Sequence, residues 1–331
     1  MKKQLLISYE DIISLDNLLS AWQEFVMGKK VKLDVQKFTF NLMDNILALY
    51  KELVNNTYSH GDYQAFYITD PKLRHIHKAS VKDRLLHHAI YRQLYPFFVR
   101  TFIADSYSCQ LRKGTHRAIN RFREFSYIAT KNKTKTGWVL KCDIKRFFDS
   151  IDHNILINVL NEYIQDKHIM NLLINIITSF ELSSSKGLPL GNLTSQLLVN
   201  IYMNKFDQFV KHKLKVKYYI RYADDFVFFS QDRQYLVNLV QDINSFLLNE
   251  LKLTIHPKKL FLQTINSGVD FLGWVHFLDH RVLRTKTKRR MMNRIKANNE
   301  RSLQSYLGLL SHGNGYNLER GLLDKYEECR L

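Results

Sequence analysis

Residues 218–230 read YYIRYADDFVFFS. Aromatic and β-branched residues fill both flanks of this stretch, a composition that predicts two buried strands. Two carboxylates, Asp224 and Asp225, stand between the flanks. If the flanks pair as a hairpin, both acids lie at its tip. Because an unpaired buried carboxylate is costly, the acids are expected to have a partner that offsets their charge.

A third acid stands in a second hydrophobic stretch. WVLKCDIKRFF, residues 138–148, reads as a buried strand that carries Asp143. If this strand lies beside the hairpin, it brings a third carboxylate to the tip. Three oxygen donors without a neighbouring His or Cys favour a hard cation such as Mg²⁺. Two such ions about 3.5–4 Å apart would bind the attacking and leaving oxygens of a phosphoryl transfer. Considered alone, an Asp pair at a turn is more often structural.

The composition favours a polyanionic partner. The 331 residues include 49 Lys and Arg against 31 Asp and Glu, a formal charge of +18, which indicates nucleic acid before membrane. No run approaches the roughly 20 apolar residues that cross a bilayer. Acids interrupt the N-terminal stretch where a secretory signal needs an apolar core, so a cytoplasmic location is expected. The three cysteines contain no CxxC pair and support neither a disulfide framework nor a zinc site.

The pattern along the chain predicts an α+β fold. Residues 1–70 have helical periodicity, 71–135 contain two basic segments that each run into a helix, and 284–331 are basic and helical. Between 138 and 280 strand and helix patterns alternate, which suits a sheet with helices packed on one face.

Two local predictions refine this middle region. Asp149, Ser150 and Asp152 precede a helical face and are candidate N-caps. LKLTI at 251–255 and VDFLGWVHF at 269–277 each read as one strand.

The chain resembles reverse transcriptases from about residue 65 to 280. The resemblance rests on ordered motifs: KLRHIHKASVKDR, SYSCQLRKGTHRA, KCDIKRFFDSID, GLPLGNLTSQ, YIRYADDFVFFS, LTIHPKK and FLGW. It implies a right-hand polymerase with a helical N-terminal extension at 1–70, fingers at 71–136, a palm at 137–280 and a short basic helical thumb at 281–331. The palm would be an antiparallel sheet backed by helices, with part of the fingers inserted. The implied activity is RNA-directed DNA synthesis from deoxynucleoside triphosphates with two Mg²⁺ ions, on template RNA and the RNA–DNA hybrid.

The resemblance also assigns the catalytic residues. Asp143 and Asp224 match the two metal-binding carboxylates, and Asp225 is the second acid of the pair and completes the metal set. Lys259 in HPKK matches the lysine near the leaving pyrophosphate, where it would act as a general acid. Lys258 is the alternative match for this lysine.

Further residues match nucleotide contacts of the family. Arg74, with Lys72 and Lys113, matches the fingers residues that hold triphosphate oxygens, a task that suits a guanidinium fork. The family often has a basic residue where this chain has Gln110. Phe148 matches the bulky residue that would exclude a ribose 2′-hydroxyl, and the alternative is an ordinary core aromatic. Residues of the PLGNLTSQ segment complete the nucleotide-binding set: Leu190, Gly191, Ser195 and Gln196.

The last segment carries a block of positive charge. Between Arg281 and Asn299 there are eight basic residues and no acid. Blocks of one sign usually mark an interaction surface, whereas the alternative is a solvated helix face. A thumb helix would place these residues on the template–primer phosphates: Arg284, Lys286, Lys288, Arg289, Arg290 and Arg294. From the 57 residues after Trp274 we expect a thumb and no added DNA-binding or endonuclease domain.

The PLGNLTSQ segment favours one subfamily. Many reverse transcriptases carry Gln-Gly and later Ser-Pro where this chain has Leu190-Gly191 and Ser195-Gln196. An apolar residue followed by GNLTSQ resembles the enzymes of diversity-generating retroelements, which copy a template RNA with frequent errors at adenines. HHAIYRQLYPFF, KGTHRAINRFREF and SYLGLLSHGNGYNL also resemble that subfamily.

This subfamily resemblance implies an accessory variability protein, a small basic helical oligomer, that binds either residues 1–70 or the thumb. The alternatives are a group II intron or retron reverse transcriptase, a catalytically idle RNA-binding protein of polymerase fold, and an RNA-templated RNA polymerase. Phe148 disfavours the last of these, and retention of all three acids disfavours the idle protein.

Overall fold

The computed structural model describes residues 3–69, 72–295 and 300–328. The helices are α1 (Tyr9–Ile13), α2 (Leu15–Val26), α3 (Leu33–Phe40), α4 (Leu42–Val54), α5 (Val81–Phe98), α6 (Thr115–Ala129), α7 (His153–Asn161), α8 (Lys167–Thr178), α9 (Leu193–Gln208), α10 (Arg233–Leu251), α11 (Thr285–Arg294), α12 (Glu300–Leu310) and α13 (Tyr316–Glu328). The strands are β1 (Gln64–Ile68), β2 (Arg74–Lys78), β3 (Trp138–Asp143), β4 (Tyr219–Tyr222), β5 (Asp225–Ser230), β6 (Phe261–Thr264), β7 (Val269–Phe271), β8 (Trp274–His276) and β9 (Arg281–Leu283).

The chain divides into two compact units, each built from separate stretches of sequence. The first unit is Met1–Ala104, Ile144–Lys215 and Asn244–Thr254. The second unit is Asp105–Asp143, Val216–Ile243 and Ile255–Leu331. None of the helices in the described ranges has both the length and the apolar composition that crossing a membrane requires.

The first unit is mostly helical and includes one β-hairpin. Strands β1 and β2 pair antiparallel, with Ile68 opposite Arg74. The prediction of a helical segment up to residue 70 is therefore wrong beyond α4, which ends at Val54. The strand sequence QAFYI is rich in aromatic and β-branched residues, which suit an extended conformation better than a helix.

The second unit contains the predicted antiparallel sheet. Its strand order is β4-β5-β3-β6. On one face of the sheet, Val227 and Phe229 of β5 share a buried cluster with Phe122 and Phe125 of α6. Alternate residues of β5, such as Phe228, point to the opposite face and are also buried. A sheet covered on both faces explains the continuous apolar run in the sequence.

A smaller sheet of the second unit lies next to the C-terminal helices. VDFLGWVHF forms β7 and β8, joined by a tight turn in which Leu272 and Gly273 have φ of 51° and 89°, so the prediction of one strand is wrong. Trp274 of β8 is buried in a cluster with residues of α11, α12 and α13. A Cβ atom on Gly313 would lie 2.1 Å from the Trp274 ring, so only glycine fits there.

Two other local predictions are corrected. LKLTI does not form a strand, because α10 extends to Leu251 and the following residues make only an isolated bridge at Ile255. Asp152 is the N-cap of α7 and accepts a hydrogen bond from the backbone N–H of Ile155, as predicted. Asp149 is not a cap, since it lies inside the short 3₁₀ helix Phe148–Ser150.

Candidate active site

Three acids meet at the end of the four-stranded sheet. Strands β4 and β5 form a hairpin in which Tyr222 pairs with Asp225, and Ala223 and Asp224 make the turn. Asp143, the last residue of β3, is directly opposite Asp225 in the β3–β5 register. The predicted hairpin and the predicted neighbouring strand are both confirmed, so one end of the sheet carries all three carboxylates.

The three carboxylates repel one another. Burial, followed by the charges of Asp225 and Asp143, raises the pKa of Asp224 to about 6, while Lys259 opposes the shift. Asp143 is only 6% exposed. A partly buried group of like charges is stabilised by a cation, and this is the electrostatic property of a site that attracts cations.

Two lysines contribute positive charge to this end of the sheet. Lys259 Nζ donates a hydrogen bond to Asp143 Oδ1 at 2.6 Å. The backbone N–H of His256 also donates to the Asp143 carbonyl at 2.8 Å, which fixes the HPKK segment against the end of β3. Lys141 Nζ lies 3.8 Å from Asp225 Oδ1. Of the two adjacent lysines that match the family motif, Lys259 is the one that the structure pairs with Asp143.

The donor chemistry of the site fits a divalent cation. Its three side chains supply only oxygen donors, and burial and the neighbouring acids raise the pKa of Asp224 although Lys259 opposes the shift. Within residues 3–69, 72–295 and 300–328, no three His, Cys, Asp or Glu side chains are grouped closely enough to form a ready-made metal site. The ammonium of Lys259 already neutralises Asp143 in this arrangement.

Arg221 supports the turn that carries Asp224, and sequence reasoning missed it. The side chain is fully buried, and its guanidinium donates to the Ala223 carbonyl and to Ser106 Oγ. Ala223 has a φ of 55°, a left-handed conformation that costs energy for a residue with a Cβ atom. Sequence reasoning could have found Arg221 because it is a basic residue inside a buried strand. Lys141 in VLKCD is also a basic residue inside a buried strand.

The PLGN segment lies against the β1–β2 hairpin of the first unit. The His77 N–H donates to the Leu190 carbonyl at 3.0 Å, and Asn192 Nδ2 donates to the His77 carbonyl at 2.8 Å. Gly191 has a φ of 114°, and a Cβ atom there would lie 2.9 Å from Ile76 Cγ2. These contacts fix the backbone at Leu190, whose side chain is half-buried.

Other predicted nucleotide contacts also lie in the first unit. Arg74, the first residue of β2, and Lys72, two residues before it, are both exposed. Phe148 is half-buried, and its carbonyl accepts a hydrogen bond from the N–H of Leu188, just before the PLGN segment. Ser195 is buried and Gln196 half-buried in the first turn of α9.

Lys113 belongs to the second unit. Its Nζ donates to the Ser106 carbonyl at 2.8 Å and lies 5.5 Å from the Tyr107 ring centre. Gln110, found where the family often has a base, is 8% exposed and donates to the same carbonyl and to Ser106 Oγ. Gln110 therefore has a structural role in the loop that Arg221 also contacts.

The basic block of the C-terminal segment is partly exposed. Lys286, Lys288 and Arg289 of α11 are exposed to solvent. Arg294 is also exposed and Arg290 is half-buried, and both of these arginines make contacts within the described chain. Arg284 forms an ion pair with Asp270. The predicted run continues to Asn299, but Lys296 and its neighbours up to Asn299 lie outside the described residues.

Comparison with known proteins identifies the family. A sequence model described as reverse transcriptase (RNA-dependent DNA polymerase) matches residues 69–276. Protein YkfC of Escherichia coli (strain K12) is 24% identical over 287 residues, a match that covers 73% of each chain. The group II intron-encoded protein LtrA of Lactococcus lactis subsp. cremoris is 27% identical over 185 residues, which cover 53% of this chain and 29% of LtrA. Since the family model covers more than half of the 331 residues, the chain belongs to the reverse transcriptase family and is by class an RNA-directed DNA polymerase.

Proposed function

We propose that this reverse transcriptase makes error-prone cDNA from a template RNA, with mutations at adenines, as the enzyme of a diversity-generating retroelement. The observation that carries the proposal is Leu190, an apolar side chain followed by GNLTSQ, in a backbone segment hydrogen-bonded to β2. A leucine can offer only packing to a nascent base pair, whereas a glutamine can form hydrogen bonds. Template RNA and the RNA–DNA hybrid are the partners, together with an accessory variability protein at residues 1–70 or at the basic C-terminal helices.

A group II intron reverse transcriptase is the second candidate. The match to LtrA favours it, although that match spans less than a third of LtrA. The neighbouring DNA separates the two candidates. A template repeat next to a near-identical variable repeat that differs at adenines supports the retroelement, and intron sequence on both sides of the gene supports the group II enzyme.

We assign the chemistry to the carboxylates at the tip of the β4–β5 hairpin. Asp143, Asp224 and Asp225 would hold two Mg²⁺ ions, which supply Lewis-acid stabilisation of the attacking and leaving oxygens. Lys259 would donate a proton to the leaving pyrophosphate. Arg221 positions the turn by its hydrogen bond to the Ala223 carbonyl.

The remaining site residues are assigned to the incoming deoxynucleoside triphosphate. Lys72, Arg74 and Lys113 would bind phosphate oxygens, and Phe148 would exclude a 2′-hydroxyl by its bulk. Leu190 and Gly191 would face the nascent base pair, with Ser195 and Gln196 behind them on α9. These roles correspond to fingers at 71–136, a palm at 137–280 and a thumb at 281–331.

Primer extension tests the proposed function. The purified protein is given a primed RNA template, the four deoxynucleotides and Mg²⁺, and the products are sequenced deeply. Full-length cDNA with errors concentrated opposite adenine supports the retroelement enzyme. Faithful cDNA, with or without a variability protein from the same locus, contradicts it.

We expect Leu190→Gln to lower misincorporation opposite adenine. A glutamine at this position can form hydrogen bonds near the nascent base pair. It should therefore increase the ratio of kcat/KM for the correct nucleotide to kcat/KM for an incorrect one. One polar contact contributes on the order of 1 kcal/mol, so error frequency should fall between about fivefold and tenfold. Deep sequencing of products from one template measures this. Leu182→Gln is the matched control, because Leu182 is 51% exposed in the same unit and is not assigned to the site. Unchanged adenine errors with intact synthesis would show that Leu190 only packs.

We expect the exposed basic residues of α11 to set the salt dependence with which the protein binds an RNA–DNA hybrid. Each phosphate contact contributes roughly −0.7 to −0.9 to the slope of log K against log salt. Replacing Lys286, Lys288 and Arg289 together by Ala should therefore reduce the magnitude of the slope by about 2 to 3. Titration of an RNA–DNA hybrid at several salt concentrations measures the slope. A triple Ala variant of exposed lysines in the first unit is the control: Lys30, Lys32 and Lys37. Equal slopes for the two variants would rule out α11 as a phosphate-binding helix.

A further inference from the structure

A cavity of about 400 Å³ lies within the second unit, apart from the three acids. Its walls come from α6, from the turn between β8 and β9, and from the loop that joins α12 to α13. Phe122 and His276 line it and are 0% and 2% exposed. These buried side chains form the inner part of a half-open recess.

Arg281 is held in the wall of this cavity, with one guanidinium nitrogen left without a hydrogen-bond partner among the described residues. Its Nη2 donates to Asn120 Oδ1 at 2.8 Å, and its Nε donates to the His312 carbonyl. The guanidinium carbon lies 5.9 Å from the centre of the Trp274 ring. Arg281 Nη1 is buried and has no hydrogen-bond partner among the described residues. An unsatisfied buried donor is costly, so the described chain leaves the Arg281 guanidinium incompletely satisfied.

A second guanidinium lines the same cavity. This second residue is Arg123 of α6, which is exposed. The pKa of Arg281 is lowered first by the burial of Arg281 itself and second by the positive charge of Arg123. In the described parts of the chain, neither arginine forms an ion pair with a carboxylate. Asp279, the acid in the cavity wall, is paired with Lys133 instead. The cavity therefore has an excess of positive charge and of hydrogen-bond donors.

We propose that this cavity binds the terminal phosphate of a nucleotide, with Arg123 and Arg281 as its two guanidinium ligands. A phosphomonoester carries about −1.5 to −2 charges at pH 7, which matches two guanidiniums. Planar guanidiniums bind phosphate through paired hydrogen bonds. A terminal phosphate presents three acceptor oxygens, more than a phosphodiester that continues in both directions.

The rest of the lining suits the nucleoside. Phe277 and His280 stack on each other with ring centres 4.8 Å apart, and together they offer an aromatic surface for a base. Asn120 retains its amide donor after accepting from Arg281, and Asn314 adds a second amide. The cavity volume is within the usual range of about 300–1,000 Å³ for small-ligand sites. The source of the phosphate is either a free nucleotide or the 5′ end of a strand, and the inference holds whichever candidate function applies.

The test compares matched ligands with and without the phosphate. Binding of the full chain is measured by calorimetry for a 5′-phosphorylated RNA oligonucleotide against its 5′-hydroxyl form, and for adenosine 5′-monophosphate against adenosine. We expect the phosphate to tighten binding at least about tenfold in one of the two pairs. If the phosphate tightens binding in the oligonucleotide pair alone, the ligand of the cavity is the 5′ end of a strand. If it tightens binding in the mononucleotide pair, the ligand is a free nucleotide.

Arg123→Glu should abolish the phosphate-dependent gain without loss of folding, because no described contact depends on that side chain. Arg117→Glu is the matched control, since Arg117 is exposed on the same helix but does not line the cavity. Equal affinities with and without phosphate in both wild-type pairs would overturn the proposal. A phosphate-dependent gain that persists in Arg123→Glu would equally overturn it.

Discussion

Asp224→Asn is expected to reduce cDNA synthesis by roughly 10³-fold or more, because loss of one metal carboxylate weakens ion stabilisation worth several kcal/mol. Primer extension on an RNA template measures the loss. The matched control is Asp242→Asn, since Asp242 is exposed on α10 and is not assigned to the site. Synthesis at the wild-type level by purified Asp224→Asn would contradict the assignment.

The same variant should be more stable than the wild type when divalent ions are chelated. The pKa of Asp224 in the folded chain is about 6, above the ordinary 3.8, so the charged form is disfavoured by folding. A raised carboxyl pKa contributes stability that is present below pH 4 and is lost as the pH rises through 6. At pH 8 the substitution should therefore stabilise the chain by on the order of 3 kcal/mol, with little effect near pH 4. Denaturant unfolding at both pH values checks this. A destabilised variant at pH 8 would mean that Asp224 supports the fold instead.

Lys259→Arg is the second substitution with a large expected effect. Arginine keeps the positive charge beside Asp143 but does not lose its proton in proteins, so it cannot act as a general acid. We expect single-turnover nucleotide incorporation to slow by about 10²-fold, the lower end of the usual range for general acid catalysis.

Lys258→Arg provides the control for this substitution. Lys258 is the exposed neighbour of Lys259, and incorporation by its variant should stay close to the wild-type rate. Reversed results for the two variants would assign the role to Lys258. An active Lys259→Arg would show that charge alone is required at this position.

The sheet and its acids were predictable because burial leaves a strong pattern in the sequence. Continuous apolar runs on both sides of Asp224 and before Asp143 gave β4, β5 and β3, and the order of motifs along the chain identified the family. The hairpin β1–β2 was missed because most of its residues are exposed, so no buried face marks its sequence. VDFLGWVHF was read as one strand because the Leu272-Gly273 turn interrupts the pattern by only two residues.

The supporting residues of the site were harder to predict than the acids. Arg221 and Lys141 are charged residues in apolar strands, and only the folded sheet shows that they contact the hairpin turn and Asp225. Gln110 was noted as a departure from the family, but its bonds to Ser106 depend on a loop conformation that local sequence does not specify. The role of a side chain whose partners are distant in sequence can be assigned only from the tertiary structure.

Mapping of bound metal by Fe²⁺ cleavage tests the central claim most directly. When Fe²⁺ replaces Mg²⁺ in the presence of hydrogen peroxide and ascorbate, the peroxide oxidises the bound Fe²⁺ and releases hydroxyl radicals, and ascorbate reduces the iron again. These radicals cut the nearby backbone, independently of polymerase activity. We predict cuts next to Asp143 and next to Asp224 and Asp225, suppressed by excess Mg²⁺ and lost in Asp224→Asn. Cuts at other positions only, or cuts at the hairpin that persist in Asp224→Asn, would contradict the claim that these three carboxylates hold the ions.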